Sequence, residues 1–274
     1  MNKKEREFIN VVWQFYHKHG RHSLPWRHKL SPYKVLVSEL MLQQTQVDRV
    51  IPKYQAFIKQ FSTIDSLARA PLADVLMAWQ GLGYNRRAKF LHATAQIVMT
   101  EHGGKLPRSL KALQSLPGIG PYTAAAVMVY AYNQPVPFIE TNVRQVYIHH
   151  FFAKRNKVGD SEILVLVEKT IAKDNPRDWF AAIMDYGSHL KQQYGNVNAR
   201  SAKYIKQSKF VGSSRQVRGA ILRQLSKQQF QTEKQLYTQL SYCDTSMLPT
   251  QLRNLATEGL ISIKKGKYRL GSVT

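Results

Sequence analysis

Leu116-Pro-Gly-Ile-Gly-Pro-Tyr-Thr123 decides how this 274-residue chain folds. Two glycines flank one apolar residue where one helical pattern ends and another begins. Glycine lets the backbone turn tightly and approach another molecule. Upstream, Ser109-Leu-Lys-Ala-Leu-Gln-Ser-Leu116 places apolar residues at helical spacing. Downstream, Thr123-Ala-Ala-Ala-Val-Met-Val-Tyr-Ala-Tyr132 reads as a buried helix. The pattern predicts a helix–hairpin–helix over about 109–132. The start of a helix offers unpaired N–H groups that bind an anion. The natural ligand of such a hairpin is a DNA backbone phosphate, met here by Gly118, Ile119, Gly120 and Thr123. An ordinary turn between two helices fits a lone Gly-x-Gly as well, and the rest of the chain has to separate the two.

Charge separates them first. The chain carries 40 Lys and Arg against 17 Asp and Glu, a formal charge of +23. That much positive charge on a folded protein points to a polyanion, nucleic acid above all. A membrane surface is the rival, but no apolar run approaches the roughly 18 residues that span a bilayer. The opening Met1-Asn-Lys-Lys-Glu-Arg-Glu lacks the apolar core of a signal peptide. Double-stranded DNA and no membrane, in a bacterial cytoplasm and associated with the nucleoid, is the expectation, with one monomer per site. The single cysteine, Cys243, excludes an intramolecular disulfide framework and a cysteine-ligated cluster. No metal and no cofactor are therefore expected, and Cys243 reads as a small core residue.

Helical periodicity runs through most of the chain. Residues 3–18 place Phe8, Val12, Phe15 and Tyr16 on one stripe. After Leu24-Pro-Trp26, Ser31-Pro-Tyr33 opens a helix through about residue 44. Further helices are predicted at 47–60, 63–69, 71–79, 86–102, 141–152, 161–172 and 177–192. Residues 191–218 hold seven basic residues and no acidic one, and read as a linker or a DNA-tracking segment. Beyond them, Val217, Ile221, Leu222 and Leu225 mark a helix, Thr232-x-x-Gln235 is a capping box, and Ser246 is the expected cap of a third helix. Leu260–Leu270 reads as a β-hairpin turning at Gly266. Three helices and a basic hairpin form the winged-helix pattern, in which the third helix meets the major groove. From residue 203 onward thirteen basic residues stand against three acidic ones, which suits DNA, although such modules also bind proteins.

Three stations carry candidate chemistry. Glu39, in Val37-Ser-Glu-Leu-Met-Leu-Gln-Gln-Thr-Gln46, is a lone acid within an apolar helix. Burial raises a carboxyl's pKa and keeps it protonated near neutral pH, which makes it a general acid; a wet helix face would leave it an ordinary surface residue. Gln43 and Gln44 beside it are flat, polar and able to wedge next to bases. Glu140, in Val136-Pro-Phe-Ile-Glu-Thr-Asn-Val-Arg144, follows an apolar stretch and opens a helix. It can face a developing cation with Asn142 and Arg144 nearby, or simply cap the helix. Gly81 and Gly83 present Tyr84 beside Arg86 and Arg87, a loop suited to entering a base stack or to joining two helices.

Leu-Pro-Trp-Arg (24–27), Ser-Pro-Tyr-Lys-Val (31–35), Ser-Glu-Leu-Met-Leu-Gln-Gln-Thr-Gln-Val (38–47), Gly-Leu-Gly-Tyr (81–84) and the hairpin at 116–123 occur in that order. Over roughly residues 6–190 the chain closely resembles the A/G-specific adenine glycosylase (MutY-like) branch of the helix–hairpin–helix DNA glycosylases. The resemblance implies an all-α, two-subdomain helix–hairpin–helix glycosylase core, here with a C-terminal winged-helix-like module. The expected organisation is a terminal helical subdomain (1–25 and 136–195), a six-helix subdomain (26–135), a basic linker (196–212) and the module (213–274).

The resemblance also implies roles. Adenine is flipped into a pocket between the two subdomains, Glu39 protonates it, and a nearby negative charge steadies the oxocarbenium-like sugar. Tyr122 stands where bifunctional relatives carry a Schiff-base lysine. Base removal without an intrinsic lyase step follows. Tyr84 matches the intercalating tyrosine, with Gln43 and Gln44 as the wedge.

Three departures qualify the match. Glu140 stands where the family carries aspartate, and a carboxylate moved by about 1 Å can lose much of its effect. The four cysteines that hold the family's iron–sulfur cluster after Met184-Asp-Tyr-Gly187 are missing, so the basic segment 191–218 is expected in place of the cluster loop. The tail does not read as the NUDIX-like domain that recognises 8-oxoguanine. Adenine opposite guanine or 8-oxoguanine is the leading substrate. Thymine or uracil opposite guanine, and a DNA lesion binder without catalysis, are the alternatives.

Overall fold

The computed structural model describes residues 1–271. The expected module 213–274 therefore ends three residues beyond the described chain. The elements are α1 (Lys3–His19), α2 (Pro32–Leu42), α3 (Val47–Gln60), α4 (Ile64–Arg69), α5 (Leu72–Ala78), α6 (Arg86–Glu101), α7 (Leu110–Gln114), α8 (Pro121–Tyr130), α9 (Thr141–Phe151), α10 (Asp160–Thr170), α11 (Pro176–Tyr194) and α12 (Ser214–Lys227). They continue as β1 (Gln231–Thr232), α13 (Glu233–Gln239), α14 (Leu248–Thr257), β2 (Ile261–Lys264) and β3 (Lys267–Leu270). The all-α reading holds up to the module, which adds the only sheet among the described residues.

The chain forms two compact units, one of Met1–Glu39, Pro107–Ser115 and Ile119–Lys206, the other of Leu40–Leu106, Leu116–Gly118 and Gln207–Thr274. These limits differ from the expected subdomains. Residues 26–39 and most of the hairpin join the terminal helices, and the module shares a unit with α3–α6. The physical reason for the first difference is visible in α8, whose Ala125 and Val129 belong to the same core as α1, α9, α10 and α11.

In the first unit, α1 begins at a capping box: the Asn2 side chain accepts from Glu5 N–H at 2.9 Å, and Glu5 accepts from Asn2 N–H at 2.8 Å. Its stripe of Phe8, Val12 and Tyr16 is buried against Tyr147 and Trp179. Phe138 stacks on Phe180 with ring centroids 4.1 Å apart. Each such side chain contributes about 1.5–3 kcal/mol by leaving water. Gly187 of α11 lies against Asn142 of α9; a Cβ there would sit 2.7 Å from the Asn142 backbone oxygen. Glycine is what lets the two helices touch.

The expected linker is ordered where it leaves α11. Gly195 takes φ 77° and ends the helix. The buried Gln145 then donates to Gly195 O at 2.8 Å and accepts from Val197 N and Asn198 Nδ2 at 3.1 and 3.2 Å. Val158 exchanges backbone bonds with Arg200 O and Ala202 N. Residues 195–202 are thus stitched to α9 and the start of α10.

In the second unit Phe57 and Trp79 are fully buried edge to face. α2 stops at Leu42, two residues early, because Gln44 adopts φ 53°, a left-handed conformation that a helix cannot continue through. The module runs helix, strand, helix, helix, hairpin, with antiparallel strand order β1-β3-β2. Lys265 and Gly266 turn the hairpin with φ of 49° and 70°, the two-residue turn that suits strand twist. Three details differ from expectation. β1 is too short to show a period. Asp244, not Ser246, caps the turn before α14. Cys243 is half-buried rather than a core residue. Lys89 Nζ donates to Glu258 O at 2.5 Å and Gly271 packs on Ala73, which fastens the module to α5 and α6.

Candidate active site

Glu39 lies one turn before the end of α2, on the face that carries Leu36 and Leu40, all three buried. The Tyr122 hydroxyl, from the first turn of α8, donates to Glu39 Oε2 at 3.0 Å. Burial pushes the Glu39 carboxyl up to about 7; the Tyr122 hydrogen bond pulls it down and the charge of Glu140 pushes it up. The Tyr122 phenol is driven well above its usual value by burial and by both carboxylates. It stays protonated and acts as a donor. The sequence left open whether Glu39 faced water or the interior, and it faces the interior.

Glu140 caps α9. Its Oε1 accepts from Asn142 N at 2.5 Å and Val143 N at 3.0 Å. Burial raises its pKa, and the N–H groups of Val143, Asn142 and Thr141 with the Arg144 charge counter that rise. The two readings of Glu140, helix cap and charge near a substrate, are therefore compatible: the cap fixes the carboxylate where its field reaches Glu39.

Several expected DNA contacts turn out to be occupied within the chain. Arg144 forms a bidentate pair with Asp160 at 2.7 and 3.0 Å. Asn142 Nδ2 faces Glu140 Oε2 at 3.5 Å and Met184 Sδ at 3.7 Å, which makes it a support for the acid. Arg87 is buried, and its guanidinium serves the carbonyls of Leu40, Met41, Gln43, Leu82 and Gly83. It clamps the loop that presents Tyr84 and has no side left for a phosphate. Thr123 and Ile119 are buried. Gly118 at φ 73° lies so close to Phe90 that a Cβ would be 2.5 Å from it, and Gly120, the N-cap of α8, faces open space. The two glycines remain exposed, as a backbone anion site requires.

Gly81 and Gly83 take φ of 90° and 69°, and Tyr84 takes 47° with 39% of its surface exposed. Arg86 is exposed and lies over the Phe90 ring. Gln44 is exposed and Gln43 half-buried, both in the turn after α2 rather than on the helix.

The sequence reading missed two further residues. Tyr130, at the end of α8, is half-buried; desolvation first, then the charges of Glu39 and Glu140, push its phenol well above the usual range. Asp185 accepts from Arg21 N and Nε at 2.7 Å each and from Arg27 Nη1 and Nη2 at 2.7 and 2.9 Å. The signal was available: an aspartate on the apolar Met184-Asp-Tyr stretch of a helix needs a cation. The segment after α11 supplies no cysteine, so the donor set of a four-cysteine cluster does not fit this chain, and Gln145 holds that segment instead.

Known proteins place the chain in a family. Residues 37–170 match the family model described as HhH-GPD superfamily base excision DNA repair protein. The chain is 36% identical over 225 residues to the adenine DNA glycosylase of Mycolicibacterium smegmatis, covering 76% of each chain. It is 29% identical over 270 residues to the adenine DNA glycosylase of Mycobacterium tuberculosis, covering 90% of this chain and 88% of that one. Among solved structures, a thermostable thymine-DNA glycosylase superposes with a TM-score of 0.60 at 28% identity, over 68% of this chain and 87% of that one.

Proposed function

Because the chain belongs to the HhH-GPD superfamily of base excision DNA repair proteins, on its adenine DNA glycosylase branch, we propose that this DNA glycosylase releases adenine opposite guanine or 8-oxoguanine in duplex DNA. The observation that carries the reading is a buried carboxyl, Glu39, which accepts from the Tyr122 phenol at 3.0 Å and which burial and the nearby charge of Glu140 push up to about 7. A glycosidic bond to adenine breaks when the ring is protonated, because the neutral base then leaves. Glu39 gives the proton to an adenine ring nitrogen. The bond electrons go with the base, and the sugar becomes an oxocarbenium-like cation. Glu140 faces that cation with negative charge. Water adds to the anomeric carbon and Glu39, now ionised, accepts its proton. Tyr122 orients Glu39, and a phenol forms no imine, so the strand is left uncut. No iron–sulfur cluster takes part in this proposal.

Tyr84, on a loop braced by Arg87, enters the base stack, and the helix start at Gly120 holds a backbone phosphate. The basic hairpin at Lys264–Lys267 belongs to a winged-helix-like module that adds phosphate contacts. The likeness to a thymine-DNA glycosylase gives one second reading, thymine or uracil opposite guanine. A panel of duplex oligonucleotides separates the readings: each carries adenine, thymine or uracil opposite guanine, 8-oxoguanine or cytosine. Strand breaks that appear only after alkali, on the adenine duplexes, support the proposal. Breaks confined to thymine or uracil duplexes, or breaks without alkali, overturn it.

A further inference from the structure

A second polar cluster lies in the other unit, at the Tyr84 loop. The Tyr84 hydroxyl accepts from Gln207 Nε2, and from Arg215 Nη1 at 3.3 Å. Gln207 Nε2 is also 3.5 Å from Gln44 Oε1. Two carboxamides that are 163 residues apart in sequence thus meet at the tip of the loop. The arrangement is anchored. Arg215 Nη2 donates to Ser208 O at 2.7 Å, Ser213 Oγ donates to Phe210 O at 2.6 Å, and Gln216 Oε1 accepts from Gly212 N at 2.7 Å. The start of α12 therefore sets where residue 207 stands. The flanking Phe210 is exposed, and Lys209 adds positive charge.

This geometry is costly for a free surface. A glutamine and an arginine lose rotamer freedom to satisfy one exposed hydroxyl, and exposed polar contacts return little. It becomes useful if Tyr84 enters a duplex. Eversion of one base leaves its partner with an unpaired Watson–Crick edge of donors and acceptors. A carboxamide is the neutral side chain that presents a donor and an acceptor together in one plane, and such pairing discriminates between bases.

We propose that Gln207, positioned by Arg215 on the Tyr84 hydroxyl, is a specificity-determining residue that reads the base opposite the excised one. The proposal rests on the glycosylase reading above and on entry of Tyr84 into the stack. In the free protein the tyrosine hydroxyl occupies the carboxamide; in the complex the unpaired base edge takes its place. Gln44 completes the pair of carboxamides from the other side.

The test uses the full chain and equilibrium affinity, so it does not depend on cleavage. Duplexes carry a tetrahydrofuran abasic analogue opposite guanine, 8-oxoguanine, cytosine or thymine. The wild-type protein should prefer one opposite base, and Gln207→Ala should shrink that preference by about 10-fold or more. Gln207→Glu, which only accepts hydrogen bonds when ionised, should change the order of preference. Arg215→Ala should reduce the preference while Gln207 remains. A purely structural role would weaken all four duplexes alike, and unchanged ratios in Gln207→Ala overturn the proposal. Failure to excise any base from the duplex panel would instead overturn the glycosylase reading and leave these affinity ratios to stand or fall separately.

Discussion

Replacing Tyr122 with phenylalanine removes one hydroxyl and little else. The ring still packs edge to face on Phe138, with centroids 5.5 Å apart. What disappears is the donor 3.0 Å from Glu39 Oε2. A hydrogen bond to a charged group contributes about 1.5–3 kcal/mol, and one pH unit corresponds to about 1.4 kcal/mol. The sign follows from which form is bonded. The phenol favours ionised Glu39, so its loss raises a pKa that burial has already pushed to about 7. Base release needs the protonated acid. The alkaline limb of the rate profile should therefore move from near pH 7 to about pH 8–9 in Tyr122→Phe. Single-turnover release of adenine from a duplex, measured from mildly acidic to alkaline pH, reads this directly. A limb that stays in place or moves to lower pH would refute the claim that the phenol tunes the acid.

Other substitutions probe the supports of the site. Asp185→Asn leaves Arg27, whose side chain is 16% exposed, without its anion, and should cost about 3–5 kcal/mol at neutral pH by denaturant unfolding. Burial raises Asp185, but the hydrogen bonds and charges of Arg27 and Arg21 outweigh it and hold its pKa below the usual carboxylate range. Its contribution is thus present above the unfolded value of about 3.9 and fades as pH falls through the folded one; a gap between variant and parent that persists undiminished in strong acid would contradict this. Arg87→Lys replaces a fork serving six carbonyls, that of Tyr84 included, with three donors and leaves buried acceptors unpaired at about 1–3 kcal/mol each. Thermal unfolding should fall by several degrees, and an unchanged midpoint would argue against the clamp. Replacing Lys264, Lys265 and Lys267 with alanine should flatten the plot of log affinity against log salt by about 0.9 for each phosphate that is no longer neutralised. An unchanged slope would remove the hairpin from the DNA surface.

Much of this molecule was legible before any coordinates. The capping box read at Thr232 is present, and caps are local chemistry; Asn2, Thr63 and Ser109 also cap helices, which the sequence reading did not single out. The apolar stripe of α1 followed from its period, and the loop glycines Gly81, Gly83 and Gly118 stand at positive φ, while Gly120 is the extended N-cap of α8. The three acid-site residues came from motif order, and the structure brings Glu39, Tyr122 and Glu140 together. What sequence could not supply was the direction of long polar side chains. Arg87 and Arg144 look like phosphate ligands in a basic chain, yet one is drawn inward by unpaired carbonyls and the other is taken by Asp160, sixteen residues away. Gln145 was invisible as an anchor because its partners lie 50 to 53 residues away; Asp185 showed that it needs a cation but not that Arg21 and Arg27 supply it. The bond between residue 207 and residue 84 was beyond reach for the same reason.

Glu39 as the proton donor is the claim on which the chemistry stands. Glu39→Gln keeps the shape and the Tyr122 contact and removes the transferable proton. Single-turnover release of adenine from a duplex, together with the dissociation constant for the same duplex, measures both halves of the claim. A general acid contributes about 10²–10⁴-fold, so release should fall by at least two orders of magnitude while affinity holds within a few-fold. Release near the parent rate in that variant would contradict the mechanism outright.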